Sequence, residues 1–211
     1  MKKIITLFAF AALLCGLFSC ETYKVGEPDM TAIHQIDGKF VGFALNPSDA
    51  TDTLSVYAVM ITNTTDDEAD RAWVTVIDMN TAGRHWQRLF AVQFPVSVDI
   101  KAQTFKADNV AAEEPDRAWN PYIEGLYGSY GGYITYGAWR GKHSVSASIN
   151  GKVVTDGVKT ATGYKADSLE FDYTLVKDNG TTETFHFVGM KKTGWAEDMA
   201  AYQSFCDRYL W

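Results

Sequence analysis

Apolar and polar residues alternate with a period of two along most of the body of the chain. In residues 167–176, for example, Leu169, Phe171, Tyr173 and Leu175 fall on one side of an extended backbone. Such alternation is typical of strands that bury one face, and it predicts an antiparallel sheet. The other strand-like segments are residues 38–45, 53–61, 71–79, 85–94, 96–100, 102–108, 143–149, 152–160 and 182–190.

Turn signals separate these segments. Residues 46–49 contain Asn, Pro and Asp, which favour a turn. Asn150 with Gly151, and the run 178–180, are hairpin signals because Asn and Gly tolerate the positive φ of tight turns. Pro95 is expected to interrupt its strand because proline has no N–H to donate to a ladder.

A single helix is predicted near the C-terminus. Glu197 and Asp198 lie in its first turn, where the helix dipole favours acids. The residues before it, 189–195, are interpreted as the passage from the last strand, with Trp195 packing over the rim of the sheet. The helical spacing is set by Met199, Tyr202, Phe205, Cys206, Tyr209 and Leu210.

Short strands, hairpin signals and one terminal helix together predict an all-β fold. We expect a single antiparallel β-barrel over residues 37–211 with a C-terminal α-helix. A closed barrel is favoured over a sandwich because closure removes unpaired strand edges.

The N-terminus carries a leader pattern. Lys2 and Lys3 precede an apolar run over residues 4–18, which fits a signal-peptide core. The run ends in Leu-Phe-Ser-Cys, typical of a bacterial lipobox, so we expect cleavage of a signal peptide of residues 1–19 and lipid attachment to Cys20. An ordinary secretory signal is the alternative. Residues 20–36 are interpreted as a lipidated tether, and outer-membrane anchoring is expected, on a face that the sequence leaves open.

The charge and the cysteine content bear on which partners the protein can bind and on whether it can form a disulfide. Loss of Lys2 and Lys3 with the leader takes the formal charge from −7 to −9, which disfavours nucleic-acid binding. Cys15 leaves with the leader and Cys20 carries lipid, so Cys206 has no intramolecular disulfide partner.

The chain offers no recognisable catalytic constellation. The nearest approach to a nucleophile elbow is residues 127–131 around Ser129, with a misplaced first glycine. The four histidines are scattered, so neither a metal nor a cofactor is expected. His186 lies on the strand face opposite Phe185 and Phe187, and a hydrogen-bonded wall histidine is the favoured interpretation. The alternative is a ligand-binding residue that points into the barrel lumen as an anchor or base.

Residues 117–142 form a segment rich in glycine and aromatic residues. Tyr and Trp combine a large apolar face with a polar tip, which suits contact with lipid, glycan or protein. The rings are therefore candidate ligand contacts, and the alternative is that they plug one end of the barrel. They are Trp119, Tyr127, Tyr130, Tyr133, Tyr136 and Trp139.

Three C-terminal stretches carry a family resemblance: GKV at residues 151–153, Gly163 with ADS at 166–168, and GMKKTGWAED at 189–198. Together with the lipobox, they resemble bacterial lipoproteins described as lipid-binding putative hydrolases. The resemblance implies a calycin-like (lipocalin-type) barrel. Family members typically have histidine where this chain has Met190, so it implies that any acid–base role of that histidine is lost here.

Three functions remain open from the sequence. The first is a membrane-anchored lipoprotein that binds a small apolar or amphipathic, lipid-like ligand in the mouth of its barrel. The second is an esterase-like hydrolase, indicated by the family description and His186. The third is a non-enzymatic component of an envelope protein complex that docks through the aromatic segment.

Overall fold

The computed structural model describes residues 30–79, 91–115, 117–119, 133–135 and 144–209. These residues form ten strands and one helix. They are β1 (Gly38–Asn46), β2 (Asp49–Asn63), β3 (Arg71–Asp78), β4 (Ala91–Asp99), β5 (Thr104–Glu113), β6 (Arg117–Trp119), β7 (Tyr133–Thr135), β8 (Ser144–Lys159), β9 (Lys165–Val176), β10 (Thr182–Lys191) and α1 (Ala196–Tyr209).

Eight of the strands close into an antiparallel barrel in the order β1-β10-β9-β8-β5-β4-β3-β2. β6 and β7 pair with each other in a separate two-stranded sheet. The prediction of an antiparallel barrel with a C-terminal helix is therefore confirmed. The predicted leader, residues 1–19, lies outside the described residues, and so does Cys20.

Apolar side chains fill the barrel interior, as expected when only eight strands enclose it. The Phe171 ring stacks on that of Phe187, with centroids 4.6 Å apart. The rings of Tyr173 and Phe185 also pack against the Phe171 ring, with centroid distances of 6.3 and 6.2 Å. Other fully buried rings of the interior are those of Phe40, Phe94 and Phe105.

Glycine provides the space that these rings occupy. Gly42 and Gly189 pair across β1 and β10, and a Cβ on Gly42 would lie 2.5 Å from both the Gly189 Cα and the tip of the Phe187 ring. On β8, a Cβ on Gly151 would lie 2.5 Å from the Phe105 ring. The interior-facing glycines thus leave the space that the neighbouring phenylalanine rings occupy.

This fit overturns one local prediction. Asn150 and Gly151 do not form a hairpin, because both lie within β8, where Gly151 faces the crowded interior. The predicted turns at 46–49 and 178–180 are confirmed, since each separates two paired strands. Pro95 does not end its strand either, because β4 continues through it and pairs with β3.

Residues 31–37 close one end of the barrel, here called the closed end. Ile33 and Ile36 are fully buried in the interior cluster. The segment is held by a bond from the Thr31 hydroxyl to Asp37 (2.7 Å) and by one from the Ala32 N–H to Asp67 (3.0 Å). The compact unit therefore begins at Thr31, before the expected boundary at residue 37.

A second apolar cluster covers the outer face of β1, β2 and β3. It comprises Val41, Val56, Ala58, Ile77, Met79, Ala91, Ala118 and Trp119. Met199 and Tyr202 of α1 pack against it, and the Tyr202 ring lies 4.9 Å from that of Phe43. Within the described ranges, no helix combines the length and apolarity needed to cross a bilayer.

Asp198, in the first turn of α1, ties the helix to the barrel. Its buried carboxylate accepts hydrogen bonds from the Thr162 N–H (2.8 Å), the Thr162 hydroxyl (2.9 Å) and the Thr193 hydroxyl (2.7 Å). Burial alone raises the pKa of Asp198, but these hydrogen bonds outweigh it and lower the pKa. Trp195 does not cover the rim as expected, because its side chain is 55% exposed.

Replacing Gly42 by alanine should destabilise the barrel by about 1–3 kcal/mol, the usual cost of overpacking a filled core. The new Cβ would meet the backbone of β10 and the Phe187 ring, and the backbone cannot move aside cheaply. Urea unfolding monitored by circular dichroism measures the change. Gly194→Ala is the matched control, since a Cβ there meets nothing within 4 Å; equal stability of the two variants would contradict the fitted interior.

Asp198→Asn should destabilise the protein at neutral pH, with a difference from wild type that shrinks in acid. The folded-state pKa of Asp198 lies below the unfolded value of about 3.9, so its stabilisation is complete above that value. It is lost as the pH falls through the folded-state pKa. Urea unfolding at several pH values tests this, with the exposed neighbour Glu197→Gln as control. A pH-independent difference would rule out the charge as its source.

Candidate functional site in the barrel wall

The ladder between β4 and β5 is interrupted. The two strands pair at Gln93 with Glu113 and again at Ser97 with Lys106. Three residues of β4 and six residues of β5 lie between these pairs. Pro95, in the middle of the β4 segment, has no N–H to offer to a partner. The wall of the barrel therefore has a seam at this point.

A bulge in β5 accompanies the seam. On its other edge, β5 places Asp108 and Asn109 opposite a single residue of β8, Ser148. Asn109 adopts a φ of 47°, in the left-handed region that asparagine tolerates better than most residues. Its N–H donates to the Ser148 hydroxyl at 2.9 Å. A bulge bends its strand, which explains how β5 departs from β4 while it stays paired with β8.

A cleft of about 980 Å³ lies at the seam, here called the wall cleft. Its volume is within the range of about 300–1,000 Å³ that is usual for small-molecule sites. It extends over β3, β4, β5, β8 and β9. Its lining residues are Thr64, Arg71, Ala72, Trp73, Pro95, Val96, Ser97, Lys106, Ala107, Asp108, Val110, Ser148, Ile149, Asn150, Asp172 and Thr174.

The floor of the wall cleft is apolar. Ala72, Val96 and Ile149 line it and also belong to the interior cluster of the barrel. Ala107 and Val110 of β5 are half-buried and pack against the same cluster. Ala72, Val96 and Ile149 are nearly fully buried, so the apolar surface that a ligand could reach comes mainly from Ala107 and Val110.

The rim of the wall cleft is polar and carries both signs of charge. Arg71 and Lys106 contribute cations, and Asp108 and Asp172 contribute carboxylates. The Trp73 ring, 38% exposed, adds a broad apolar face beside them. An apolar floor below a charged rim is complementary to an amphipathic molecule.

A polar cluster lies at the end of the barrel opposite the closed end. The Tyr57 hydroxyl donates to Glu183 at 2.5 Å, and Lys177 contacts the other oxygen of that carboxylate at 2.6 Å. Burial raises the pKa of Tyr57, and the charges of Asp78 and Glu183 raise it further. The buried Tyr173 hydroxyl has no hydrogen-bond partner among the described residues.

His186 lies on the outer face of the barrel, because its neighbours Phe185 and Phe187 face the interior. Its Nδ1 lies 2.8 Å from Asp172 and its Nε2 lies 3.3 Å from Glu170. His186 is thus a hydrogen-bonded wall histidine that adjoins the wall cleft through Asp172, a lining residue, and it does not point into the lumen. The described residues contain no cluster of three or more potential metal ligands of the His, Cys, Asp and Glu types.

Trp119 is the one predicted aromatic contact whose side chain the structure describes. It is fully buried in the outer cluster, and the Lys39 ammonium lies 5.0 Å from its ring centroid. Tyr133 belongs to β7, which pairs with β6. The remaining predicted contacts, Tyr127, Tyr130, Tyr136 and Trp139, lie outside the described residues, as does Ser129.

The residues of the cleft floor were not among the sequence candidates. Val96, Ala107 and Ile149 have the ordinary composition of a core and carry no chemical signal of their own. The only hint in the sequence is Pro95, because proline within a strand indicates an edge or a bulge.

Met190 occupies the position at which the resemblance implies a histidine. Its side chain is buried, and it pairs with Val41 of the outer cluster. This position therefore lies on the outer face of the barrel rather than in the interior or the wall cleft.

Comparison with curated proteins finds no match to the chain. A family model described as "Lipid-binding putative hydrolase" matches residues 26–196, which include the whole barrel. The match agrees with the resemblance seen in the sequence and covers most of the chain. On this evidence the chain belongs to the family of lipid-binding putative hydrolases.

Proposed function

We propose that the protein binds a small amphipathic, lipid-like ligand in the wall cleft. Membership of a lipid-binding family supports the class of ligand. The observation that carries the position is the seam between β4 and β5, where the apolar interior meets a cleft of about 980 Å³.

The cleft suggests how such a ligand would lie. Its apolar part would rest on Ala107, Val110 and the Trp73 ring, and burial of apolar surface would provide most of the affinity. Its polar group would remain at the rim, within reach of Arg71 or Lys106. Carboxylate and phosphate groups are well suited to these cations.

The packed interior favours the wall over the lumen as the binding position. Stacked and tilted rings of Phe171, Tyr173, Phe185 and Phe187 already occupy the barrel centre. A ligand deep in the lumen would have to displace them. Binding in the mouth, with contacts from residues 117–142, stays a prediction because most of that segment lies outside the described residues.

The proposal includes membrane anchoring. The lipobox supports lipid attachment to Cys20, and residues 20–30 would then connect the barrel to the outer membrane. An envelope protein that docks on the aromatic segment stays a further prediction. Of the proposed partners (a small ligand, the membrane and an envelope protein), the small ligand is the one that the described residues support best.

Ala107→Trp should weaken binding of a dansyl-labelled undecanoic acid at least about tenfold, equivalent to about 1.4 kcal/mol. The indole would fill the cleft from a half-buried position on β5. Titration of dansyl fluorescence measures the affinity, and urea unfolding confirms that the variant is folded.

Ala111→Trp is the matched control, because Ala111 lies exposed on the same strand and does not line the cleft. Unchanged affinity in Ala107→Trp, or an equal loss in both variants, would exclude the wall cleft as the binding site.

Hydrolysis is the second candidate, because Asp172 and His186 form a close carboxylate–histidine pair beside the cleft. In a catalytic triad, the other ring nitrogen faces the nucleophile. Here Nε2 of His186 contacts the Glu170 carboxylate, which in turn contacts Lys152 at 3.4 Å. The described surroundings of His186 are thus those of a surface ion-pair network.

His186→Ala should leave any ester turnover unchanged. It should lower stability by at most about 1 kcal/mol, as is usual for exposed ion pairs. Turnover of a panel of p-nitrophenyl esters by the wild type and the variant tests this. A large loss of turnover in a folded His186→Ala variant would instead assign a catalytic role to the pair.

A further inference from the structure

The most exposed aromatic side chains among the described residues are Tyr164 and Trp195, at 64% and 55% exposure. Tyr164 lies in the turn between β8 and β9, and Trp195 lies just before α1. We call these two residues the ring pair. Most tryptophans in folded proteins are largely buried, so this exposed tryptophan and tyrosine, whose segments are joined through Asp198, indicate a contact surface.

The ring pair is held in place by Asp198. The Thr162 N–H and hydroxyl bind its carboxylate from the turn that contains Tyr164. The Thr193 hydroxyl binds it from the other side and accepts the Trp195 N–H at 3.3 Å. One buried carboxylate thus fixes the segments that carry both rings.

The ring pair lies at the closed end of the barrel. β10 ends beside the start of β1, where the Lys192 N–H donates to the Lys39 carbonyl at 2.7 Å. The barrel unit begins at Thr31 at this same end. The preceding chain contains the lipobox Cys20, and eleven residues span at most about 40 Å. A lipid on Cys20 would keep the closed end near the membrane surface.

Lysines flank the ring pair. Lys159 and Lys165 border the turn of Tyr164, and Lys191 and Lys192 precede Trp195. Lys191 pairs with Asp167 at 3.5 Å, and Lys165 pairs with Asp156 at 4.0 Å. Tyr and Trp prefer the headgroup level of a bilayer, and lysine can extend its ammonium group to the phosphates there.

We propose that the ring pair is a membrane-contact surface that seats the closed end of the barrel on a phospholipid bilayer. Trp195 and Tyr164 insert their rings at headgroup depth, and the flanking lysines contact lipid phosphates. This inference rests on the membrane anchoring proposed above, but the surface is separate from the wall cleft, so its test does not depend on ligand binding.

The test uses the mature protein, lipidated at Cys20, in phosphatidylethanolamine–phosphatidylglycerol liposomes whose acyl chains carry bromine, which quenches nearby tryptophan. We expect Trp195→Phe to remove at least about half of the quenching seen in the wild type, because Trp195 would be the ring nearest the lipid. Trp119→Phe, which removes a fully buried tryptophan of the outer cluster, is the control and should change it little.

A double variant provides a second test of the proposal. Adding Tyr164→Trp to Trp195→Phe should restore quenching, since the second position of the ring pair would then report on the same lipid. Equal quenching in wild type and Trp195→Phe would overturn the proposal. The proposal would also be overturned if the wild type showed no quenching and the ring pair instead bound a protein specifically. Dansyl-acid binding should be unchanged in Trp195→Phe and in its double variant with Tyr164→Trp, whatever the outcome with lipid, because neither position lines the wall cleft.

Discussion

The barrel depends on the fit between interior phenylalanine rings and the glycines that face them. Eight strands enclose a space that side chains can fill completely. Phe187 lies against Gly42 and Gly189, and Phe105 lies against Gly151. Close packing of this kind gives the fold its apolar core. It also occupies the volume that a ligand would need at the barrel centre.

Because side chains fill the barrel centre, the wall is a more favourable binding position than the lumen. The seam between β4 and β5 is a local departure from an otherwise closed ladder, and the bulge at Asp108 and Asn109 allows it without loss of pairing to β8. The core residues below the seam, such as Val96 and Ile149, then serve two purposes. They stabilise the barrel, and they support the half-buried Ala107 and Val110, which present apolar surface to the wall cleft.

Period-two alternation predicted the strands and the barrel because each strand buries one face against a single core. Local signals failed where tertiary packing decided the outcome: Gly151 was interpreted as a turn residue, but the Phe105 ring requires a glycine there. Likewise, Trp195 is apolar yet exposed, because Asp198 fixes its segment away from the core. The cleft could not be predicted because it arises from the register between β4 and β5, which no local pattern encodes.

The positions of the cleft and the ring pair bear on how a ligand would arrive. Arg71 begins β3 and pairs with Ser97 near the end of β4, so this part of the cleft rim lies toward the closed end of the barrel. The ring pair lies at the closed end as well. If that end rests on a bilayer, the cleft opens close to the lipid surface. An amphipathic molecule leaving the bilayer would then meet the charged rim first and the apolar floor second, which is the order its own polarity favours.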